Sequence, residues 1–373
     1  MKIGTIKETK VGENRVAMSP EVVKNFIKQG FECCIESGAG IASNFSDNTY
    51  LNAGATILKT AEDVCKAIDV LVKVNAPNSE EIAHIKQGSA LISFIYHLTN
   101  PELIAQLGAK NISVFSMDAM PRISRAQSMD ALSSQANLAG YKAVLLGAHY
   151  SARIFPMLMT AAGTITPSKV LIFGAGVAGL QAIGTAKRLG AVVEVTDIRP
   201  ETKEQVESLG GKFISFDTGD VKIEGGYVIE SSEDTLKKQR EILLKHLSAC
   251  DIAITTALIP GRKAPILITE EMVKAMKLGS VIVDMAVEQG GNCEISESGK
   301  IVVKHGVKIV GESNLPSLLS QNASESYSKN IYTFLNHLAT KEGFKWEMDE
   351  EITKGTLITK DGQNLKGTVT ATA

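Results

Sequence analysis

This chain has few cysteines, a small net charge and no long apolar run, and each of these features argues against a class of protein. The five cysteines are scattered without a Cys-x-x-Cys pair, so neither a zinc site nor a disulfide framework is indicated, and a reducing compartment is expected. The 39 Lys and Arg nearly balance the 41 Asp and Glu, which argues against nucleic acid as a partner. The N-terminus lacks the apolar core of a signal peptide, and the longest apolar region is interrupted by Gln181, Lys187 and Arg188. We therefore expect no metal site and no direct membrane insertion.

The chain does contain enough apolar material for two domains. Of its 373 residues, 44% are hydrophobic and 21% charged, so two domains, or one domain interrupted by another, are expected. Short apolar runs alternate with helical segments, which is typical of a largely parallel sheet. The predicted fold class is α/β, with two Rossmann-like doubly wound parallel-sheet domains, the second inserted in the first. The predicted domains are residues 1–130 with 318–373, and residues 131–317. Two helical segments, 127–138 and 140–152, are expected to connect them.

The most informative stretch is a glycine-rich turn that follows the apolar run 170–173. Gly174-x-Gly176-x-x-Gly179 opens a helical segment to Leu189, and a second apolar run then ends at Asp197. This is a βαβ unit with the dinucleotide-binding fingerprint. Gly174 permits the tight turn, Gly176 lets a pyrophosphate approach the backbone, and Gly179 lets helix and strand pack closely. The phosphates would bind at the positive end of the helix.

Asp197 indicates which dinucleotide is expected. It lies about twenty residues after the glycines, where a carboxylate hydrogen-bonds the adenine-ribose hydroxyls and repels a 2′-phosphate. NAD(H) is therefore expected rather than NADP(H). Arg199 argues the other way, because a nearby arginine can hold a 2′-phosphate, and this alternative stays open.

Residues 218–234 include Gly225, Gly226 and Tyr227 amid polar residues without clear periodicity. The segment is either a plain surface loop or a lid, in which glycine hinges let one aromatic side chain cover a ligand.

Residues 121–141 concentrate polar side chains at a helix entry near the predicted domain boundary. By composition the segment is either a solvated helix start with ordinary caps or a ligand site, which is common at such boundaries. With Gly-Ala-Gly-Val-Ala-Gly at 174–179 and Thr-Thr-Ala-Leu-Ile-Pro-Gly at 255–261, this segment closely resembles the NAD(H)-binding domain of proton-translocating nicotinamide nucleotide transhydrogenase. The resemblance covers nearly the whole chain, from Lys7 to Gly311. It implies that the chain binds NAD(H) and passes hydride to NADP(H) held by a separate domain, coupled to proton movement through a membrane domain. Because no membrane segment is seen, the chain resembles the split form, in which the NAD(H)-binding piece is its own polypeptide.

The same resemblance assigns roles to individual residues. Arg122 and the Asp130–Ser133 pair would hold the nicotinamide carboxamide, and Gln127 would contact the nicotinamide ribose and help the two rings approach. Tyr227 resembles the tyrosine of the family's mobile loop. The matched motifs give the other cofactor-binding candidates: Gly174, Gly176, Val177, Ala178, Gly179, Asp197, Ile198, Arg199, Thr256, Ala257 and Leu258. The chain departs from the family at 261–265, where Gly-Arg-Lys-Ala-Pro replaces the usual Gly-Lys-Pro-Ala-Pro.

The architecture is also similar to alanine dehydrogenase, which is the alternative function. Arg15 and Lys73 resemble that family's residues that hold a substrate carboxylate and carbonyl. Oxidising an amine and hydrolysing the imine requires a positioned His and carboxylate. Here His97 lies beyond the equivalent position, and Glu288 stands where that family has Asp. Hydride exchange between two nicotinamides needs no proton transfer, only two C4 atoms held close in a water-poor cleft.

The resemblance further implies partners and a location. Membrane and NADP(H)-binding subunits of the transhydrogenase are expected, and a homodimer is expected from the family. The chain would be cytoplasmic and associated peripherally with the inner membrane through these subunits. A third possibility is an NAD-sensing or scaffold protein without activity. Retention of the 122–141 segment argues against it, because nucleotide binding alone does not require that segment.

Overall fold

The computed structural model describes residues 1–215, 222–224, 227–230, 233–258 and 263–367, and of 222–224, 227–230 and 233–239 only the backbone. The chain divides into two compact units. Unit 1 consists of Met1–Gln135 and Pro316–Ala373, and unit 2 of Ala136–Leu315. In sequence, unit 2 is therefore an insertion in unit 1.

Strands and helices alternate through the first portion of unit 1. In chain order the elements are β1 Lys2–Thr5, α1 Pro20–Lys28, β2 Glu32–Glu36, α2 Asp47–Asn52, β3 Thr56–Leu58, α3 Ala61–Ala67, β4 Val70–Val72, α4 Ser79–His84, β5 Ala90–Ser93, α5 Pro101–Ala109 and β6 Ser113–Ser116. Helix α1 begins as its sequence predicts, because Ser19 accepts a hydrogen bond from the Val22 N–H and Pro20 occupies the first turn.

A long helix carries the chain into unit 2, where short strands and helices again alternate. The elements are α6 Ala131–Tyr150, β7 Leu158–Thr160, β8 Gly163–Ile165, β9 Lys169–Phe173, α7 Val177–Arg188, β10 Val192–Thr196, α8 Lys203–Ser208, β11 Lys212–Phe213, β12 Lys222–Glu224, β13 Tyr227–Glu230, α9 Glu233–Ala249, β14 Ile252–Thr255, α10 Glu270–Lys274, β15 Val281–Asp284, β16 Lys300–Lys304 and β17 Val307–Gly311.

The C-terminal portion of the chain completes unit 1. Its elements are α11 Ser320–Leu338, β18 Ala339–Thr340, β19 Gly343–Phe344, α12 Glu351–Thr356, β20 Leu357–Lys360 and β21 Gln363–Asn364. The eight-stranded sheet of unit 1 has the order β21-β20-β6-β5-β4-β1-β2-β3. Strands β1 to β6 are parallel to their neighbours, whereas β20 and β21 are antiparallel additions at one edge. The parallel portion follows the 3-2-1-4-5-6 order of a doubly wound Rossmann fold.

Unit 2 has a seven-stranded sheet of the order β11-β10-β9-β14-β15-β17-β16. All its pairs are parallel except β16 with β17. The strand order reverses between β9 and β14, and ligands of doubly wound sheets bind at the carboxyl ends of the strands at such a point. The predicted fold class, two Rossmann-like doubly wound domains with the second inserted in the first, is therefore confirmed.

The central strands of unit 2 are buried on both faces, as their uninterrupted apolar sequences predict. Along β9, Val170 and Ile172 belong to one buried apolar cluster, and Leu171 and Phe173 belong to another. Successive side chains of a strand point to opposite faces, so the two clusters cover the two sides of the sheet. This burial holds the ends of the strands in place at the glycine-rich turn.

The connecting helix differs from its prediction. Two helical segments were expected, 127–138 and 140–152, but residues 124–129 form a 3₁₀ turn and α6 then runs unbroken over Ala131–Tyr150. Gly140 does not interrupt it. An added Cβ at Gly140 would lie 2.1 Å from the Ala178 carbonyl oxygen, so this glycine allows α6 to pack closely against α7. Helix packing, and not a break between helices, explains the glycine.

Two further expectations concern the segment 218–234 and membrane insertion. Within 218–234, the backbone of β12 pairs antiparallel with that of β13, whereas Gly225 and Gly226 lie outside the described residues. Across the residues that the structure describes, no helix has the length and apolar character needed to cross a membrane.

Candidate dinucleotide site

The turn between β9 and α7 gives each fingerprint glycine a different environment. Gly174 has φ +102°, a conformation that favours glycine, and an added Cβ would lie 2.4 Å from the Thr256 hydroxyl. An added Cβ at Gly179 would lie only 1.9 Å from the Gly174 carbonyl oxygen. At Gly176, by contrast, no atom of the described residues lies within 4 Å of the added Cβ, so the turn is open there toward the rest of the described structure. The turn is therefore tightly packed on its inner side and accessible at Gly176.

Helix α7 provides an anion-binding end beside that open space. Gly176 is its N-cap and has no side chain to occupy the first amides, and the first turn, which includes Val177 and Ala178, contains no acidic residue. The first N–H groups of a helix have no partner within the helix and lie at the positive end of its dipole. This arrangement suits a pyrophosphate.

Asp197 follows β10 and supports the turn from the side of the second strand. Its carboxylate accepts a hydrogen bond from the Ala175 N–H at 2.7 Å. It also accepts from the Arg199 N–H at 2.8 Å and from the Arg199 guanidinium at 3.0 and 2.9 Å. Burial alone would raise the pKa of Asp197, but the hydrogen bonds from Arg199 and Ala175 lower it below its ordinary value. Asp197 is thus a stable carboxylate, and Ile198 beside it is half-buried.

Arg199 is therefore placed differently from the residue that a 2′-phosphate site requires. Its sequence position is compatible with holding such a phosphate, but its guanidinium forms a two-contact ion pair with Asp197. The positive charge is neutralised next to the strand end, which favours NAD(H) over NADP(H) at this position.

The segment Thr256–Leu258 follows β14, next to β9. The Thr256 hydroxyl donates to the Phe173 carbonyl oxygen at 2.9 Å, which joins this segment to the start of the glycine turn. The Ala257 N–H donates to the Asn292 side-chain oxygen at 3.0 Å, and the Asn292 amide donates back to the Ala257 carbonyl at 2.9 Å. Leu258 is exposed. Sequence reasoning missed Asn292.

The other predicted residues belong to unit 1, apart from Tyr227. Arg122 and Gln127 are exposed, and Gln127 lies in the 3₁₀ turn before α6. The Asp130 carboxylate accepts from the Ser133 N–H at 2.9 Å and from its hydroxyl at 2.6 Å, so the structure brings this predicted pair together. Tyr227 begins β13, and its side chain lies outside what the structure describes.

At the carboxyl ends of β1 and β4, unit 1 contains a buried cluster of charged side chains. Glu13 binds the Arg15 guanidinium at 2.8 and 2.6 Å, and Lys73 lies 3.5 Å from Glu8 and 2.8 Å from Glu81. Burial raises the pKa of Glu8 despite the nearby Lys73. Burial would also raise the pKa of Glu13, but hydrogen bonds and charge from Arg15 lower it to about 2. Arg15 and Lys73 resemble the substrate-binding residues of alanine dehydrogenase, but here they are paired with the chain's own carboxylates.

The acid–base candidates of the alternative function are weakly supported. Burial lowers the pKa of His97, and its Nδ1 has no hydrogen-bond partner among the described residues. Glu288 accepts a hydrogen bond from the Asn314 N–H at 3.1 Å, so it is engaged in a backbone contact. Nor do the described residues contain a group of three or more His, Cys, Asp or Glu side chains that could hold a metal ion.

The geometry so far defines two doubly wound units, of which unit 2 contains a glycine turn of the dinucleotide-binding type, and comparisons with known proteins agree with this class of fold. Residues 4–139 match the alanine dehydrogenase/PNT N-terminal domain, and residues 143–367 match the alanine dehydrogenase/PNT C-terminal domain. The chain therefore belongs to the alanine dehydrogenase/PNT family.

Within this family the similarity is greater to transhydrogenases. The chain is 54% identical over 372 residues to a Rhodospirillum rubrum protein named as NAD(P) transhydrogenase subunit alpha, with 97% of each protein covered. The crystal structure of the transhydrogenase from Sinorhizobium meliloti matches with a TM-score of 0.90 and 45% identity, covering 98% of this chain and 100% of that one. Alanine dehydrogenase of Bacillus subtilis is 30% identical over 370 residues, covering 97% of this chain and 92% of that one.

Proposed function

We propose that this chain is the NAD(H)-binding component of a proton-translocating NAD(P) transhydrogenase and that it exchanges hydride directly with NADP(H) on a partner subunit. The observation that carries the proposal is the turn at Gly174–Gly179, which is open at Gly176 and lies beside the ionised, arginine-paired Asp197. The pyrophosphate would bind at the start of α7, and the adenine ribose would bind at Asp197. The 54% identity to a transhydrogenase alpha subunit over nearly the whole chain supports the same function.

The reacting end of the cofactor is assigned by resemblance. Arg122 and the Asp130–Ser133 pair would hold the nicotinamide carboxamide, and Gln127 would contact the nicotinamide ribose. The hydrogen bonds between Asp130 and Ser133 support this, because they fix both polar groups at the start of α6. The nicotinamide ring would give up a hydride as NADH or accept one as NAD⁺, and these residues would orient the ring for that exchange. Tyr227 would close over the bound nucleotide, as the mobile-loop tyrosine does in the family.

Alanine oxidation is the second candidate, and the buried pair Arg15 and Lys73 is the observation that favours it. Its support is weaker because Glu288 replaces Asp, which moves the carboxylate by one methylene, and because His97 lies beyond the equivalent position. Arg15 and Lys73 are also bound to Glu13, Glu8 and Glu81, with which a substrate carboxylate would have to compete.

An assay with and without the partner separates the candidates. Purified chain mixed with the NADP(H)-binding subunit should reduce an NAD analogue with NADPH, and either protein alone should not. The chain with L-alanine and NAD should form no pyruvate. Pyruvate formation would instead establish the dehydrogenase, and NADH binding without either activity would point to a scaffold.

We also propose that the chain forms a homodimer and that membrane and NADP(H)-binding subunits hold it at the inner membrane. Strands β7 and β8 form a two-stranded sheet of their own. The hairpin that contains them, residues 156–167, includes no charged side chain. Met157 and Met159 are 57% and 80% exposed. Natural edge strands are normally protected by charge, and an antiparallel strand can pair with its own copy across a two-fold axis. We therefore propose that the same hairpin of a second copy of this chain packs against it.

Sedimentation tests the dimer directly. The native chain should sediment at twice its 39.8 kDa mass, and Met159→Lys should shift it toward the monomer. Leu278→Lys is the matched control, because Leu278 is also apolar and 85% exposed but lies away from the hairpin in sequence. A monomeric native chain would overturn the homodimer, and a dimeric Met159→Lys would assign the interface to another surface.

A further inference from the structure

Asn292 lies in the loop after β15 and uses all its polar groups. Its side-chain oxygen accepts from the Ala257 N–H at 3.0 Å, and its amide nitrogen donates to the carbonyl oxygens of Ala257 at 2.9 Å and Pro265 at 2.8 Å. Its backbone carbonyl accepts from the N–H groups of Leu267 and Ile268. The residue is completely buried. One side chain therefore binds both ends of the segment between Ala257 and Pro265.

The position of Asn292 is itself fixed by a buried carboxylate. Asp284 ends β15, is fully buried and accepts the Asn292 N–H at 3.1 Å. It also accepts from the N–H groups of Ala286 and Cys293 and from the hydroxyls of Thr255 and Ser296. With these five donors, the carboxylate attaches the loop after β15 to the strand ends. The loop can then hold a neighbouring segment in one place.

No other side chain of similar size replaces the Asn292 amide. Aspartate has the same shape, but it would place an acceptor against the carbonyl oxygens of Ala257 and Pro265. Alanine would leave the Ala257 N–H and these two carbonyls without their partner in a buried region. The requirement for one acceptor and two donors is met by the asparagine side chain.

The segment that Asn292 holds belongs to the proposed cofactor site. Thr256 precedes Ala257 and binds the Phe173 carbonyl beside Gly174, so a shift of Ala257 is transmitted to the glycine turn. We infer that Asn292 is a positioning residue for NAD(H) binding, which fixes Thr256–Leu258 through the Ala257 backbone. This inference rests on the proposed function of the same site.

Two alanine variants of the full-length chain test the inference. Asn292→Ala removes the contacts to Ala257, whereas Ser168→Ala removes a buried hydrogen bond to the Ile154 carbonyl oxygen at 2.6 Å, at the opposite end of β9 from the glycine turn. For each, calorimetry gives the Kd for NADH, thermal unfolding gives Tm, and hydrogen–deuterium exchange follows the amide of Ala257. We expect Asn292→Ala to raise Kd by roughly tenfold and to accelerate exchange at Ala257. Ser168→Ala should lower Tm but change Kd less than about twofold.

The outcomes separate this inference from the proposed function. If the native chain binds NADH and Asn292→Ala binds it equally well, the inference is wrong and the proposed function stands. If Ser168→Ala weakens binding as much as Asn292→Ala does, Asn292 acts only through general stability. If the native chain binds no NADH, both proposals fail. Should Asn292→Ala not fold, Asn292→Asp has the same shape and must show the same weaker binding and faster Ala257 exchange.

Discussion

Asp197 and Gln127 have different proposed tasks, and matched substitutions separate them. Asp197→Asn removes the charge that pairs with Arg199 and would bind the adenine ribose, so the Kd for NADH should rise by about tenfold or more. Gln127→Asn shortens an exposed side chain by one methylene, so it should mainly slow hydride transfer, with a smaller change in Kd. Calorimetry with NADH and single-turnover transfer in the reconstituted complex measure the two quantities. Equal effects of both variants on both quantities would contradict this division of tasks.

Because of the buried pair Glu13–Arg15, the stability of unit 1 should depend on pH in the acid range. The pKa of Glu13 is lowered to about 2, so its carboxylate stabilises the folded state above its ordinary pKa of 4.5. That contribution, on the order of 3 kcal/mol, is lost as the pH falls from about 4.5 through about 2. Glu13→Gln should therefore lower the free energy of unfolding at neutral pH, and its difference from the native chain should shrink in acid.

Urea unfolding of both chains between pH 7 and pH 2.5 measures this difference. Glu8 has a raised pKa and therefore the opposite pH dependence, and the charge of Glu13 is one cause of that rise, so Glu13→Gln also reduces the opposing contribution of Glu8. Glu62→Gln, at an exposed ion pair with Lys66, is the control and should cost little at any pH. If the difference in the free energy of unfolding between Glu13→Gln and the native chain does not change with pH, the lowered pKa of Glu13 is contradicted.

How far a residue's role can be predicted from sequence depends on the distance to its partners. The three glycines and Asp197 follow from spacing within one βαβ unit, because their partners are near in sequence. The Asp130–Ser133 pair is similarly local, with a separation of three residues. Asn292 binds Ala257 across 35 residues, and only the pairing of β14 with β15 brings them together. No local pattern reveals such a contact.

At the scale of the element, two glycines of one turn should fail in different ways. Gly179→Ala places a methyl group 1.9 Å from the Gly174 carbonyl oxygen, a backbone atom, so stability should fall by about 1–3 kcal/mol. Gly176→Ala meets no atom within 4 Å in the part of the chain that the structure describes, so its stability should stay within about 0.5 kcal/mol of native while NADH binding weakens. Urea unfolding and calorimetry distinguish them. A Gly176→Ala variant that binds NADH normally would show that the pyrophosphate does not approach this backbone.

The elements themselves divide into those with strong and weak sequence signals. The central strand β9 was predicted from the apolar run 170–173 and observed at Lys169–Phe173, because strands buried on both faces have uninterrupted apolar sequences. Strands β16 and β20 were not predicted. They lie in antiparallel pairs, and β16, whose sequence is Lys-Ile-Val-Val-Lys, is partly exposed along its length. The single helix α6 was predicted as two because Gly140 suggests a break until its packing against Ala178 is seen.

At the scale of the whole molecule, the two units share a strand order but differ at the equivalent place. In unit 2 the reversal between β9 and β14 is occupied by the open glycine turn. In unit 1 the reversal between β1 and β4 is occupied by the buried charges of Glu8, Lys73 and Glu81. The same fold therefore provides a glycine turn of the dinucleotide-binding type in one unit and an ion-paired interior in the other.

The chain order of the two units predicts that one of them folds as an isolated fragment and that the N-terminal part of the other does not. Residues 130–317 contain the complete seven-stranded sheet, both of its buried clusters and the Asp130 cap of α6. This fragment should unfold cooperatively and bind NADH more weakly than the full chain, because Arg122 and Gln127 are missing. Residues 1–129 lack α11, which places Tyr327 and Phe334 in the buried cluster of unit 1, so they should not fold alone. Circular dichroism during urea unfolding and calorimetry with NADH measure these outcomes. A folded 1–129 fragment, or an unfolded 130–317 fragment, would show that the units do not divide the stability of the molecule in this way.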